Sequence, residues 1–368
     1  MTVVGKVGII AEAGVNHNGN IDLAIELVDK AAAAGADFVK FQTFSAEKIA
    51  SSSVGKADYQ KVATDAGETQ LDMLRRLELS QDSHRILLQH CADRDIEFLS
   101  SAFDIDSLGF LADDLGLKRL KLGSGELTNA PLLLAAARSG MEIFLSTGMG
   151  SLAEVEEALG VIAFGMKQDG SPVCRADFSS ALLDPSVWDA LHARVTLLHC
   201  TTEYPAAVDD TNLRAIETMR TAFGLRVGYS DHTEGNAMSI AAVALGATML
   251  EKHFTLDRTM EGPDHAASVE PEELAALVRD VRAVERGMGN GIKQPSAAEV
   301  RNRRIVRKTL LAARDLAIGH VIGEDDLVGK RTGGGVSTMD LWDCVGRQLA
   351  RALARDEPIS WKDLRWPD

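Results

Sequence analysis

The sequence predicts an α/β protein, a (β/α)8 TIM barrel followed by a small C-terminal domain. Three observations carry this reading. Eight short β-rich apolar runs alternate with Ala/Leu/Glu-rich stretches of helical spacing, the pattern of parallel strands joined by crossover helices. The count of eight favours a closed barrel over an open sheet, and so does the lack of a GxGxxG turn after the first run, where Ala11-Glu12-Ala13-Gly14-Val15-Asn16-His17 stands instead. Composition then changes at Gly287-Met288-Gly289-Asn290-Gly291, and a basic run with Arg301, Arg303, Arg304, Arg307 and Lys308 leads into a short closing segment.

The strands are read at residues 7–11, 38–41, 97–100, 119–122, 142–145, 195–199, 226–229 and 248–252. The helices are read at 21–34, 83–94, 106–115, 129–139, 152–164, 213–223, 236–245 and 271–287. Gly35, Gly140, Gly224 and Gly246 each follow a helix and precede a strand, the place of a C-cap. Residues 45–80 and 165–192 exceed a simple loop and are read as insertions, helical in part. The domain expectation is a barrel over 1–288, a linker over 289–306 and a second domain over 307–368.

The chain has 368 residues, 45% of them hydrophobic and 25% charged, enough apolar material for a large core. A formal net charge of −15 opposes binding to nucleic acid or to anionic membranes, so no nucleic-acid or membrane partner is expected. Any anionic substrate therefore needs a local cationic pocket. No apolar run is long enough to span a bilayer, and Met1 to Val7 lacks a secretory pattern. Cys91, Cys174, Cys200 and Cys344 are scattered, which argues against a disulfide framework or a zinc-thiolate site and for a reducing, cytoplasmic location.

In a (β/α)8 barrel the active site lies at the C-terminal strand ends. Here those ends carry Glu12, Asn16 and His17; Lys40 and Gln42; Ser100 and Ser101; Lys121, Ser124 and Glu126; Ser146; His199, Thr202 and Tyr204; His232; and His253. Two lysines in one mouth suit a phosphate and a carboxylate, and Gly123, Gly125 and Gly148 allow backbone N–H groups to approach such an anion. His232 and His253 end consecutive strands, and neighbouring strands lie about 4.8 Å apart, so the two imidazoles can share one divalent cation. His199 is read as a core residue, and His84, His90, His192, His265 and His320 as structural or surface groups. Glu12 and Glu126 are acid/base candidates, and Asp264 in the last loop is a candidate for holding a polyol. No GxSxG, P-loop or HExxH motif is present.

Taken together, IIAEAGVNHNG (9–19), VKFQTF (39–44), KLGSGEL (121–127), LSTGMG (145–150), LLHCTTEYPA (197–206), GYSDHTEGN (228–236) and EKHFTLDRTMEGPDH (251–265) resemble the sialic acid synthase family, the phosphoenolpyruvate-dependent nonulosonic acid synthases. The tail, with GKRTGGGVS (329–337), resembles that family's antifreeze-like (SAF) domain. The resemblance implies a condensation of phosphoenolpyruvate with the open-chain aldehyde of a mannosamine-type sugar, with release of phosphate. The product expected is N-acetylneuraminate; the alternative is legionaminic acid from 2,4-diacetamido-2,4,6-trideoxymannose. Lys40, Lys121, Ser124 and Ser146 would bind phosphoenolpyruvate, with Ser101 and Thr202 as further contacts where members of the family carry Thr and Asn. His232 and His253 would hold Mn2+ or Mg2+, and Glu12 would face the reacting centre. Gln42, Glu126, Tyr204 and Asp264 would hold sugar hydroxyls, and Arg331 would reach the acetamido group in the other subunit of a domain-swapped homodimer. Arg331 is followed by Thr332 where the family usually has Pro, which loosens that loop. Two alternatives stay open on the residues alone. One is a Schiff-base aldolase using Lys40 or Lys121; the other is a non-catalytic sugar-binding protein.

Overall fold

The computed structural model describes residues 5–49, 69–167, 170, 172 and 174–367. The expectation of partial helix over 45–80 falls outside the described residues at 50–68, and that over 165–192 does so at 168, 169, 171 and 173. The chain divides between Asn290 and Gly291 into two compact units.

The first unit runs β1 (Gly8–Gly14), α1 (Ile21–Ala34), β2 (Phe38–Thr43), α2 (Ala46–Ile49), α3 (Gln70–Leu77), α4 (Gln81–Asp93) and β3 (Glu97–Ala102). It continues through α5 (Ile105–Gly109), β4 (Arg119–Leu122), α6 (Ala130–Arg138), β5 (Glu142–Ser146), α7 (Leu152–Lys167), α8 (Ala176–Ala181) and α9 (Pro185–Arg194). β6 (Val195–Cys200), α10 (Ala215–Phe223), β7 (Arg226–Asp231), α11 (Ala237–Ala244), β8 (Met249–His253) and α12 (Pro271–Met288) complete it. The eight strands pair in sequence order, all parallel, and β8 closes on β1: a TIM barrel, as the alternation predicts.

Why strands and helices alternate is visible in their sequences. Most strand residues that point outward are Val, Ile, Leu and Ala, joined by Phe41, Phe98 and Tyr229, and they pack on the apolar faces of the helices in one continuous core. α1 shows the local logic: Asn20 caps it by accepting from the Asp22 N–H, and Ala24, Leu27, Val28 and Ala31 recur at helical spacing on its buried face. The four glycines expected after helices all have positive φ.

Two expectations need correction. β1 runs to Gly14, not to residue 11, because pairing decides its length: Glu12 is in register with Lys40 of β2 and with His253 of β8. Glu12 is thus a strand residue. The helix expected over 106–115 is instead the short α5 passing into a π-turn over Phe110–Asp114.

The second unit contains α13 (Ala297–Val306), opened by a reciprocal Ser296/Glu299 cap, within the stretch read as a linker. Antiparallel β9 (Lys308–Ala312) and β10 (Leu327–Arg331) follow. α14 (Leu341–Cys344) precedes the pair β11 (Gln348–Leu349) and β12 (Leu364–Arg365). Its own small core includes Leu310, Leu316, Ile322, Val336, Leu349, Leu353 and Ile359.

Candidate active site

Side chains of a strand alternate between two faces, so inward positions recur every second residue. In this barrel the lower inward layer is an apolar plug of Ile10, Phe38, Leu99, Phe144, Leu198 and Met249. Two residues further along the same strands stand Glu12, Lys40, Ser101, Ser146, Cys200 and Glu251. One sequence period therefore converts a dry plug into a polar floor. Above it lies a cavity of about 280 Å³ at the C-terminal ends of the strands.

Twelve of the side chains singled out in the sequence line this cavity: Glu12, Lys40, Gln42, Ser101, Lys121, Ser124, Ser146, Thr202, Tyr204, His232, His253 and Asp264. Glu126 does not line it; its carboxylate accepts from Asn129 Nδ2 at 2.6 Å and is half-buried. Arg331 belongs to the second unit, at the exposed end of β10. Asn16 and His17 are buried and structural. Asn16 donates to the Phe254 carbonyl at 2.8 Å and to Ser268 at 3.0 Å, while His17 Nδ1 accepts from the Gly19 N–H. His199 is turned toward the Thr211 carbonyl, 2.7 Å away, as a structural residue.

The floor holds a charge network. Lys40 Nζ lies 2.6 Å from Glu12 and 3.2 Å from Glu251, and it donates to Ser101 Oγ at 3.0 Å. Lys121 Nζ lies 3.2 Å from the other oxygen of Glu251, which also accepts from Ser230 Oγ at 2.6 Å. All four charged groups are buried. Burial pushes the Glu12 carboxyl up to about 7 in spite of Lys40. Burial acts the same way on Glu251, but Lys121 and Lys40 outweigh it and hold that carboxyl well below its usual value. Desolvation lowers Lys121, with Glu251 opposing.

Glu251 lines the cavity but is not among the site candidates read from the sequence. The signal was there: it stands two positions before His253, so the two share a face. Lys252, between them, points outward and forms a buried pair with Asp231 at 3.0 Å. Asp231 also accepts from Ser239 and from Thr233, which ties the segment after β7 to the barrel wall directly behind His232.

An anion cradle adjoins the lysines. Ser124 Oγ accepts from the Gly148 N–H at 3.0 Å and lies 3.0 Å from Cys200 Sγ. A Cβ at residue 148 would sit 2.2 Å from Thr202 Oγ1 and 2.7 Å from Ser124 Oγ, so only glycine lets the backbone come this close. Ser146 Oγ and Thr202 Oγ1 are buried without a hydrogen-bond partner among the described residues, the mark of a place built for a polar ligand.

In the same cavity the two imidazoles lie with ring centres 5.5 Å apart, and the Tyr204 ring lies 4.1 Å from His232. Burial lowers His232 to about 4 and His253 well below the ordinary value, so both rings are neutral. His232 Nδ1 is 2.7 Å from the Thr201 carbonyl and must carry the proton, which leaves Nε2 as a lone-pair donor. His253 Nδ1 is buried with no hydrogen-bond partner among the described residues. Two neutral imidazoles, one with an orphaned nitrogen, fit a divalent cation whose remaining ligands are oxygens of water or substrate. Among the described residues no group of three His, Cys, Asp or Glu could hold an ion by itself. Asp264, pushed up to about 6 by burial, lies 3.9 Å from His253. It also converges with Glu12 and Gln42 on the space beside Gly14, whose φ of 54 and crowded flank again call for glycine.

Comparison with known proteins identifies the family. The NeuB family model matches residues 27–293, and the SAF domain model matches residues 307–365. The chain is 45% identical, over 96% of its length and 99% of the other's, to N,N'-diacetyllegionaminic acid synthase of Campylobacter jejuni. To the Legionella pneumophila protein of the same name it is 41% identical, over 97% of this chain and 94% of that one. Among solved structures it is similar to N-acetylneuraminic acid (sialic acid) synthetase from Leptospira borgpetersenii, with a TM-score of 0.66 and 31% identity over 82% of this chain and 93% of that one.

Proposed function

The chain belongs to the NeuB family of sialic acid synthases, with a C-terminal SAF domain, and from that premise we propose how its residues act. It condenses phosphoenolpyruvate with the open-chain form of a mannosamine-type sugar, giving a nine-carbon nonulosonic acid and phosphate. The observation that carries this reading is the convergence of two buried lysines and two neutral imidazoles on one cavity. The acceptor is N-acetylmannosamine or 2,4-diacetamido-2,4,6-trideoxymannose, and the names of the 45% and 41% identical relatives favour the second.

In this reading Lys40 and Lys121 grip the phosphate and carboxylate of phosphoenolpyruvate, with Ser101, Ser124, Ser146 and Thr202 completing the anion shell. Gln42, Tyr204 and Asp264 orient the sugar so that its aldehyde carbon faces the enol CH2 carbon. His232 and His253 would hold a Mn2+ or Mg2+ ion, which when bound would supply Lewis-acid polarisation of the aldehyde oxygen. The enol carbon attacks, a C–C bond forms and the aldehyde oxygen takes up a proton. Positive charge appears at the enol ether carbon, where the Glu12 carboxylate stabilises it. Water adds there and loses a proton; the carbon–oxygen bond to phosphate then breaks, leaving the keto acid. Lys40 and Lys121 stabilise the departing phosphate. Holding both reactants in one cavity supplies much of the rate. The same reading takes Glu126 as a further sugar contact. It also takes the chain as a homodimer in which Arg331 reaches the acceptor's acetamido group at the partner's barrel mouth, which light scattering would check.

The test is phosphate release. It is expected only when phosphoenolpyruvate, a mannosamine-type sugar and a divalent cation are combined, and to stop in excess chelator. His232→Ala is expected to abolish it while the far-UV circular dichroism stays native. Full turnover in chelator, or a wild-type rate in H232A, refutes the metal role; a borohydride-trapped adduct on Lys40 or Lys121 would favour the Schiff-base alternative.

A further inference from the structure

The two imidazoles stand on neighbouring strands, and a buried ion pair joins the residues just before them. Asp231 and Lys252 are register partners on the outer faces of β7 and β8, each one position ahead of its histidine. Their charged ends lie 3.0 Å apart, and both side chains are almost wholly buried. Lys252 Nζ also donates to the carbonyl of Thr233, the residue after His232. One ammonium of β8 therefore holds both chain neighbours of His232. The acceptor sites of Asp231 are filled. Oδ1 accepts from the Thr233 N–H at 2.9 Å and the Thr233 hydroxyl at 2.7 Å, and Oδ2 accepts from Ser239 of α11 at 2.6 Å besides Lys252. The His232 carbonyl accepts from the Ala206 N–H at 2.9 Å, so the backbone of His232 is pinned on several sides. Asp231, Thr233, Ser239 and Lys252 all lie outside the cavity lining.

We infer that Asp231 and Lys252 are positioning residues that set the spacing and direction of His232 and His253 for a divalent cation. The inference rests on the cation role proposed above for those two imidazoles. A buried ion pair is often no more stabilising than apolar residues of the same volume, because desolvation offsets its attraction. What this pair adds is direction. A carboxylate with every acceptor site occupied has one low-energy arrangement, and here that arrangement ties the segment carrying His232 to the strand carrying His253. Two nitrogens bind one cation well only at a fixed separation, so rings left to drift bind it more weakly. Residues behind the ligands that hold them in place are typically worth about 10–100-fold in metal affinity.

The experiment titrates Mn2+ alone into the metal-stripped full chain by calorimetry, with neither substrate present. Phosphoenolpyruvate binding is measured separately in excess chelator, and urea unfolding follows stability. The double variant Asp231→Asn with Lys252→Met removes both charges at nearly the same size and strands neither. It is expected to weaken Mn2+ binding at least about tenfold while phosphoenolpyruvate affinity stays within about twofold of wild type. A purely structural role would loosen both ligands or neither. Ser239→Ala removes one donor to Asp231 and is expected to weaken Mn2+ at least about threefold; it decides the matter if the double variant does not fold. Mn2+ affinity unchanged in the folded variants, or a parallel loss of phosphoenolpyruvate affinity, overturns the positioning role and leaves the cation site standing. A wild type that takes up no Mn2+ overturns both.

Discussion

Replacing Glu251 by Gln tests the charge network at its weakest link. Each of its ion pairs, with Lys40 and with Lys121, spans 3.2 Å. At an effective dielectric constant of about 20, a pair at that separation is worth about 5 kcal/mol before desolvation is counted. Lys40 keeps a second counter-ion in Glu12, 2.6 Å away, but Glu251 is the one carboxylate paired with Lys121 among the described residues. The substitution thus removes one partner of a buried pair and strands the other, a change that costs about 3–5 kcal/mol. The barrel's unfolding free energy in urea is expected to fall by about 3 kcal/mol. A phosphate or carboxylate entering the cavity supplies the missing negative charge, and it no longer competes with Glu251. Phosphoenolpyruvate is therefore expected to bind E251Q more tightly than wild type in isothermal titration and to recover part of the lost stability by mass action. A fall of less than 0.5 kcal/mol together with unchanged phosphoenolpyruvate affinity would refute the assignment of Glu251 as the internal counter-ion of Lys121.

Three other outcomes follow from particular contacts. Gly148→Ala puts a methyl group into Thr202 and Ser124, so the KM for phosphoenolpyruvate is expected to rise at least about tenfold with the fold retained; steady-state kinetics and circular dichroism check this. Phe144→Ala opens the apolar plug beneath the site and is expected to cost about 3–5 kcal/mol in urea unfolding. In the second unit, Asp326 is held down to about 2: its burial raises it, but the Gly323 N–H, His320 and Arg314 together lower it further. A depressed carboxyl adds stability above its unfolded value of 3.8 that is lost as pH falls through about 2. With Arg314 largely exposed, about 1–2 kcal/mol is at stake. Fluorescence of Trp342, Trp361 and Trp366 during acid titration in urea should show the second unit weakening in that window, and Asp326→Asn should remove the dependence.

Local chemistry wrote much of this protein into its order of residues. Eight apolar runs spaced by amphipathic stretches have few ways to bury their faces, and a closed parallel barrel is one of them. Period-two alternation then places Lys40, Ser101 and Ser146 above Phe38, Leu99 and Phe144, which any reader of the strands can count. Pairing and closure settled the rest. Glu12 became a strand residue because β2 and β8 hold β1 past its apolar stretch. Glu251 became a site residue because barrel curvature brings β2 and β4 lysines to one carboxylate of β8, a meeting that no spacing along the chain encodes. Asn16, polar and next to the site in sequence, was turned into a structural residue by the Phe254 carbonyl and Ser268, more than 200 positions away. Burial and register are short-range in space but long-range in sequence, and that is why residue types could be read in advance while their company could not.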